Sequence, residues 1–216
     1  MVGLGRKAIA EPCAAILTII ISLYLVVGAA APAYAQALYA SVGERTPAAP
    51  IGWVQFCQTY QGECDTKPLP PVDVVLDQNA WENLKHVNDW VNHNIKPETD
   101  MNHYGMIQWW RYPDDGAGAC HSYALLKRRL LMQAGWPRQA LLMTIVREAN
   151  GDGHAVLTLE TDRGEFILDN LTDDILPWSK TPYQYYKRQS QSDPNVWVWL
   201  DNAPGDIATL SARAQH

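Results

Sequence analysis

Ala119-Cys-His-Ser-Tyr-Ala-Leu-Leu-Lys-Arg-Arg-Leu-Leu-Met-Gln-Ala134 follows a Gly-rich turn, Asp115-Gly-Ala-Gly-Ala119, and stops at Gly135, with Pro137 just beyond. Apolar Leu125, Leu126, Leu130 and Met132 between these breakers predict a helix opening at Cys120, the most amphipathic in the chain. A helix start leaves backbone N–H groups unpaired and presents the positive end of the dipole, which favours a thiolate over a thiol. The same Cys120 N–H is placed to hold an oxyanion, with the indole of Trp110 as a second donor; Trp109 and Trp110 fit a core position equally well. Lys127-Arg-Arg129 reads as a charge run on the solvated face of this helix.

Downstream, the segments 140–147, 153–160 and 165–169 are strand-like and separated by the turns Asn150-Gly-Asp-Gly153 and Asp162-Arg-Gly164. They predict consecutive antiparallel strands, and Val196-Trp-Val-Trp-Leu200 alternates as a further one. Upstream, Trp81, Leu84, Val87, Trp90, Val91 and Ile95 recur at helical spacing and predict a long helix packed by one face, with Asn88, Asn92 and Asn94 on its polar side or against loops. The fold class is α+β: helices on one face of an antiparallel sheet. That layout brings His154, near the start of one strand, beside Asp169, near the end of the next, with Cys120 in reach of the imidazole. The order Cys120, His154, Asp169 then reads as a thiol nucleophile, its acid–base partner and the carboxylate that orients it. Asp173 and Asp174 are alternative acids, but they follow the strand in a turn.

The chain has 216 residues and four cysteines. Residues 1–35 read as a secretory signal: Arg6 and Lys7, an apolar run from Ala14 to Val27, and Ala33-Tyr-Ala35 as the cleavage site. An uncleaved anchor is the alternative, since the apolar stretch approaches the ~20 residues that span a bilayer. Either way the expected location is periplasmic or secreted, and Cys13 goes with the signal if it is cleaved. Cys57 and Cys64 lie close together in an exported chain, where such a pair forms a disulfide. Cys120 is left as the odd thiol. Residues 36–71, rich in Pro, Gly and Ala, read as an irregular segment tied by that disulfide, and 72–216 as the catalytic domain. A net charge of −6 argues against nucleic acid. Nine tryptophans and ten tyrosines against two phenylalanines point to a core and rim of amphipathic aromatics. No second Cys or His has zinc-ligand spacing, and no cofactor is implied.

Trp110-Arg-Tyr-Pro113, Gly118-Ala-Cys-His-Ser-Tyr-Ala-Leu-Leu-Lys127, Ala134-Gly-Trp-Pro137, Gly153-His-Ala-Val-Leu157, Leu168-Asp-Asn-Leu-Thr-Asp173 and Pro177-Trp178 occur in that order. On this ordered set the chain, from Asn79 to Trp199, resembles the bacterial transglutaminase-like cysteine peptidase family of periplasmic proteases. The resemblance implies a papain-like fold with Cys120, His154 and Asp169 as the triad, and peptide-bond hydrolysis through a thioester. It also implies a protein or peptide substrate in the cell envelope and an inner-membrane regulatory receptor. A catalytically inactive or transamidating envelope module that binds a protein partner is the alternative reading.

One departure stands out. The family reads Gly-Asp-Cys-Glu-Asp-Tyr around the nucleophile, and here Ala119, His121 and Ser122 replace the three carboxylates. Calcium takes hard oxygen ligands, so no calcium site is expected at this spot. Asp114 and Asp115 read as solvated turn residues. His121 reads as a surface residue on the first helical turn, with modulation of Cys120 as its alternative role.

Overall fold

The computed structural model describes residues 37–43, 46–64 and 67–200. The expected signal, 1–35, lies outside them. Among the described residues, no helix is long and apolar enough to cross a membrane.

Helix α1 (Ile51–Thr59) and the single turn α2 (Gln61–Cys64) fall within the segment 36–71 expected to be irregular. They form because Trp53 and Phe56 on α1 find a shared core: Trp53 meets Trp110 and Trp197 edge-on, and Phe56 stacks on it. Cys57 and Cys64 form the disulfide that joins the two helices.

Helix α3 (Gln78–Asn94) starts where the Asp77 carboxylate accepts from Ala80 N, 2.8 Å, satisfying one orphan donor of the first turn. It buries Leu84, Val87, Asn88 and Val91. Trp90, expected on that stripe, is instead 44% exposed. The short strand β1 (Lys96–Pro97) follows, then α4 (Asp100–Tyr104) and β2 (Ala117–Gly118), which pairs parallel to β1. Helix α5 (Cys120–Gln133) leads into the sheet.

Five further strands, β3 (Leu141–Arg147), β4 (Gly153–Thr161), β5 (Gly164–Leu168), β6 (Leu176–Pro177) and β7 (Gln184–Gln189), join β8 (Trp197–Trp199) in an antiparallel sheet ordered β6-β5-β4-β3-β7-β8. Period-two alternation explains how one strand serves two faces. Leu157 and Leu159 of β4 join the main core with α3 and α5, while Val156 joins a second cluster with Val146, Ile167 and Tyr185. Strand β7 escapes the apolar pattern because a buried ion cluster does the work of a core residue. Arg188 lies 2.7 Å from both Glu160 and Glu165.

Two expectations about α5 are corrected. The one-sided helix is α3; α5 is buried almost all round, from His121 through Arg128. Lys127 and Arg128 are therefore not solvated. The Lys127 ammonium donates to Asp169 O, and Arg128 reaches Leu141 O at 3.3 Å and Glu63 on α2 at 3.2 Å. Only Arg129 keeps some exposure, with its guanidinium 3.9 Å from the Tyr112 ring centroid.

Candidate active site

The start of helix α5, which carries Cys120, is aimed by the chain just before it. Lys96 N donates to Gly116 O and Glu98 N to Gly118 O, which fixes β2 against β1. Gly118 permits the tight entry: a Cβ there would sit 2.6 Å from Ser122 Cβ. At the N-cap, Ala119 supplies no side-chain acceptor; its carbonyl takes Ser122 N at 2.9 Å, and no side chain caps the N–H groups of Cys120 and His121. Cys120 is half-buried and the one free cysteine among the described residues.

His154 and Asp169 meet across the β4–β5 hairpin. One step past the paired Leu157 and Leu168, Asp169 lies diagonal to His154 on the same side of the pleat. His154 Nε2 and Asp169 Oδ1 are 2.8 Å apart, both side chains buried. Asp169 Oδ1 also accepts from Leu171 N at 3.1 Å, and Oδ2 accepts from the Tyr183 hydroxyl. Its carbonyl accepts from Lys127 Nζ at 2.8 Å and Asn92 Nδ2 at 3.0 Å, so α5 and α3 both grip the Asp169 backbone. Asn92 Nδ2 also reaches Asp173 Oδ1 at 2.9 Å, which turns that carboxylate toward α3.

With Nε2 on the carboxylate, Nδ1 is the ring nitrogen of His154 that Asp169 does not hold. Burial alone pushes the Cys120 thiol up, but hydrogen bonds and charge from His121 and His154 overcome it and bring the pKa down to about 6. Burial likewise lowers the His154 imidazolium's pKa, and the Asp169 and Cys120 partners outweigh it and raise it to about 10. Burial raises Asp169; bonds from His154, Tyr183 and Leu171 win and hold it below its ordinary value. The favoured state near neutrality is a thiolate–imidazolium–carboxylate array.

His121 is not a surface residue. It is 5% exposed, stacks face to face on Trp110 (centroids 5.3 Å apart, planes 6° apart), and holds Nε2 3.3 Å from Asp100 Oδ1. The other Asp100 oxygen accepts from Trp109 N at 2.7 Å. Trp110, expected as an oxyanion donor, turns its Nε1 edge to α1. A Cβ on Gly52 would sit 2.5 Å from that nitrogen, so the indole is a packed wall behind His121. Nothing in the sequence marks Asp100 as a partner, because it lies on a short helix inside a turn-rich stretch. Tyr183, one of the ten tyrosines, carries no motif that marks it as a partner of Asp169.

Residues 43–204 match the family model described as bacterial transglutaminase-like cysteine proteinase. The chain belongs to that family. As a bacterial transglutaminase-like cysteine proteinase it is a cysteine peptidase with a mixed helix and antiparallel-sheet fold. No curated protein matches it. Among solved structures it is similar to calcium-bound Legionella pneumophila LapG, 23% identical over 62% of this chain and 80% of that one, with a TM-score of 0.48. It is also similar to Legionella pneumophila LapG at 25% identity, over 62% and 73%, with a TM-score of 0.47. The EGTA-treated form matches at 25% identity, over 60% and 73%, with a TM-score of 0.48.

The donors around Cys120 in this proteinase do not suit calcium, which takes six to eight oxygen ligands. Asp100 is already engaged by His121 and Trp109 N, Ala119 has no donor, and His121 offers nitrogen. Asp114 and Asp115 are taken by Arg129 at 3.2 Å and His103 at 3.0 Å. No group of three or more His, Cys, Asp or Glu side chains among the described residues is arranged to hold a metal ion.

Proposed function

We infer that this proteinase is exported and hydrolyses a peptide bond in a protein of the cell envelope, through a thioester on Cys120. The observation that carries this reading is the buried His154–Asp169 pair, Nε2 to Oδ1 at 2.8 Å, in a fold that starts helix α5 at the one free cysteine among the described residues. The Cys120 thiolate attacks the carbonyl carbon, and uncapped N–H groups at the start of α5 face the oxygen that gains charge. His154 gives its proton to the leaving amine as the C–N bond breaks. It then takes a proton from water, which attacks the thioester and releases the acid. Asp169 holds the imidazole in the tautomer that points Nδ1 at sulfur.

Export is supported by the signal-like segment 1–35 and by the Cys57–Cys64 disulfide, which suits an oxidising compartment. The family's membership supports a protein substrate, and an inner-membrane receptor is the partner that the resemblance suggests.

The test is cleavage of an envelope-protein extract by the purified protein, read as new N-termini, with Cys120→Ala as control and an added primary amine. Termini that appear only with the wild type support hydrolysis. Amine incorporated in their place would move the reading to transamidation, and identical patterns for both proteins would reject an enzyme.

A further inference from the structure

The triad uses His154 and Asp169. It leaves a second buried imidazole–carboxylate pair, His121 and Asp100, with Nε2 and Oδ1 3.3 Å apart. His121 stands on the first turn of α5 and Asp100 opens α4, so the pair joins two elements. Asp100 is the hub of this join. Its Oδ2 accepts from Trp109 N at 2.7 Å, which closes residues 100–109 into a loop. Inside that loop Gln108 takes φ 53°, the one left-handed non-glycine residue among the described residues, and the bond at the next residue holds it there. Met101, Met106 and Ile107 of the loop are exposed. Just past the closing bond, Trp110 lays its ring on His121, planes 6° apart. Neither Asp100 Oδ1 nor His121 Nε2 has another hydrogen-bond partner, and both side chains are 6% exposed. A carboxylate so buried needs a cation, so taking the proton from His121 leaves Asp100 as an unpaired buried charge.

We propose that His121 and Asp100 form a charge clasp that seats the 100–109 loop and the Trp110 wall on the first turn of α5, and that the clasp opens when His121 loses its proton. The loop then ceases to be a fixed wall beside Cys120. As a positioning device for catalysis the clasp rests on Cys120 being the nucleophile. As a clasp it rests only on the ion pair, the loop-closing bond and the ring stack.

Asp100 faces His121 from α4, and Cys120 is the charged neighbour on its own helix. Burial opposes the charge on His121, and these groups, Asp100 first, overcome it and raise the pKa to about 9. Because the folded value lies above the unfolded ~6.5, the hold is complete below ~6.5 and is lost as pH rises through about 9. The other charged groups of this stretch are taken: His103 by Asp115 at 3.0 Å, Asp114 by Arg129 at 3.2 Å, and Arg111 by the Tyr104 ring, 5.1 Å from its centroid. Tyr104, whose pKa burial and the charge of Asp115 raise, stays neutral through this range.

The experiment follows two reporters in the intact protein: the His121 ring by NMR titration, and hydrogen exchange of the Trp109 amide, expressed relative to its unprotected rate at each pH. In the wild type we expect the ring to titrate well above ~6.5 and the protection of Trp109 to fall at least roughly tenfold across the same pH range, while the amides of β4 keep theirs. In Cys120→Ala the ring should still titrate above ~6.5. In Asp100→Asn, which keeps an oxygen for Trp109 N, the ring should fall to ~6.5 or below, and the pH dependence of Trp109 protection should vanish. The proposal is overturned if the wild-type ring titrates at ~6.5 or below, if Trp109 protection is constant across the ring's titration, or if Cys120→Ala alone brings the ring down to ~6.5. If Asp100→Asn does not fold, the wild type and Cys120→Ala decide. Failure of the peptidase reading looks different: Cys120-dependent cleavage would be absent while the clasp titration remained.

Discussion

Lys127 Nζ donates to the carbonyl of Asp169 at 2.8 Å, two turns down the helix that begins at Cys120. One helix thus carries the proposed nucleophile at its start and grips the proposed acid from its middle. Asn92 on α3 takes the same carbonyl from the other side. The distance between sulfur and carboxylate is set by rigid elements, which favours a fixed catalytic geometry over one assembled by loops.

Holding the acid this way requires a buried ammonium. Burial lowers the Lys127 pKa to about 7, against partial compensation from Asp169, Asp173 and Asp89. Because the folded value lies below the unfolded one, the unfolded chain binds more protons between about pH 7 and ~10.4. Stability from this group therefore rises with pH across that window, and the penalty is complete below it. Lys127→Met removes the term. In urea unfolding, the difference between wild type and variant is expected to shift toward the wild type from pH 7 to pH 10; a constant difference would contradict it.

The Tyr183 hydroxyl donates to Asp169 Oδ2. Hydrogen bonds to charged groups contribute about 1.5–3 kcal/mol, so Tyr183→Phe is expected to lower kcat roughly tenfold or more, with little change in KM. Kinetics on any cleaved peptide check this, and an unchanged kcat would show that His154 and Leu171 alone hold the carboxylate.

Breaking the Cys57–Cys64 bridge, which spans a sequence separation of 7, should cost about 2 kcal/mol. Urea unfolding of the Cys57→Ser, Cys64→Ser double variant measures it. The pH profile of Cys120 is expected to stay unchanged, because α2 reaches α5 through the Glu63–Arg128 pair, on the side of the helix away from its N-terminus. A displaced profile would show a coupling that the contacts do not contain.

Chelation should leave the site alone. With Asp100 committed to His121 and Trp109 N, EGTA and added calcium are both expected to leave the alkylation rate of Cys120 unchanged. A loss on EGTA that calcium restores would contradict this donor assignment.

The hairpins and α3 were legible because alternation, turn residues and helical spacing are local signals. Strand β7 was not, since Arg188 lies against two buried carboxylates where an apolar side chain would have announced a core strand. Lys127 and Arg128 misled for the same reason: their partners, Asp169 O and Glu63, are brought near only by folding. Cys120, His154 and Asp169 could be picked out by residue type and order. The Asp100–His121 pair could not, because 21 positions and no motif separate its members until α4 folds back on the start of α5.

The most direct test of the account is the ionisation of Cys120 itself, followed as thiolate absorbance near 240 nm in the wild type against Cys120→Ala. The disulfide silences Cys57 and Cys64. The account predicts an inflection at about pH 6, with the thiolate in place at neutral pH. An inflection at or above ~8.5, the value of an ordinary thiol, would contradict an activated nucleophile.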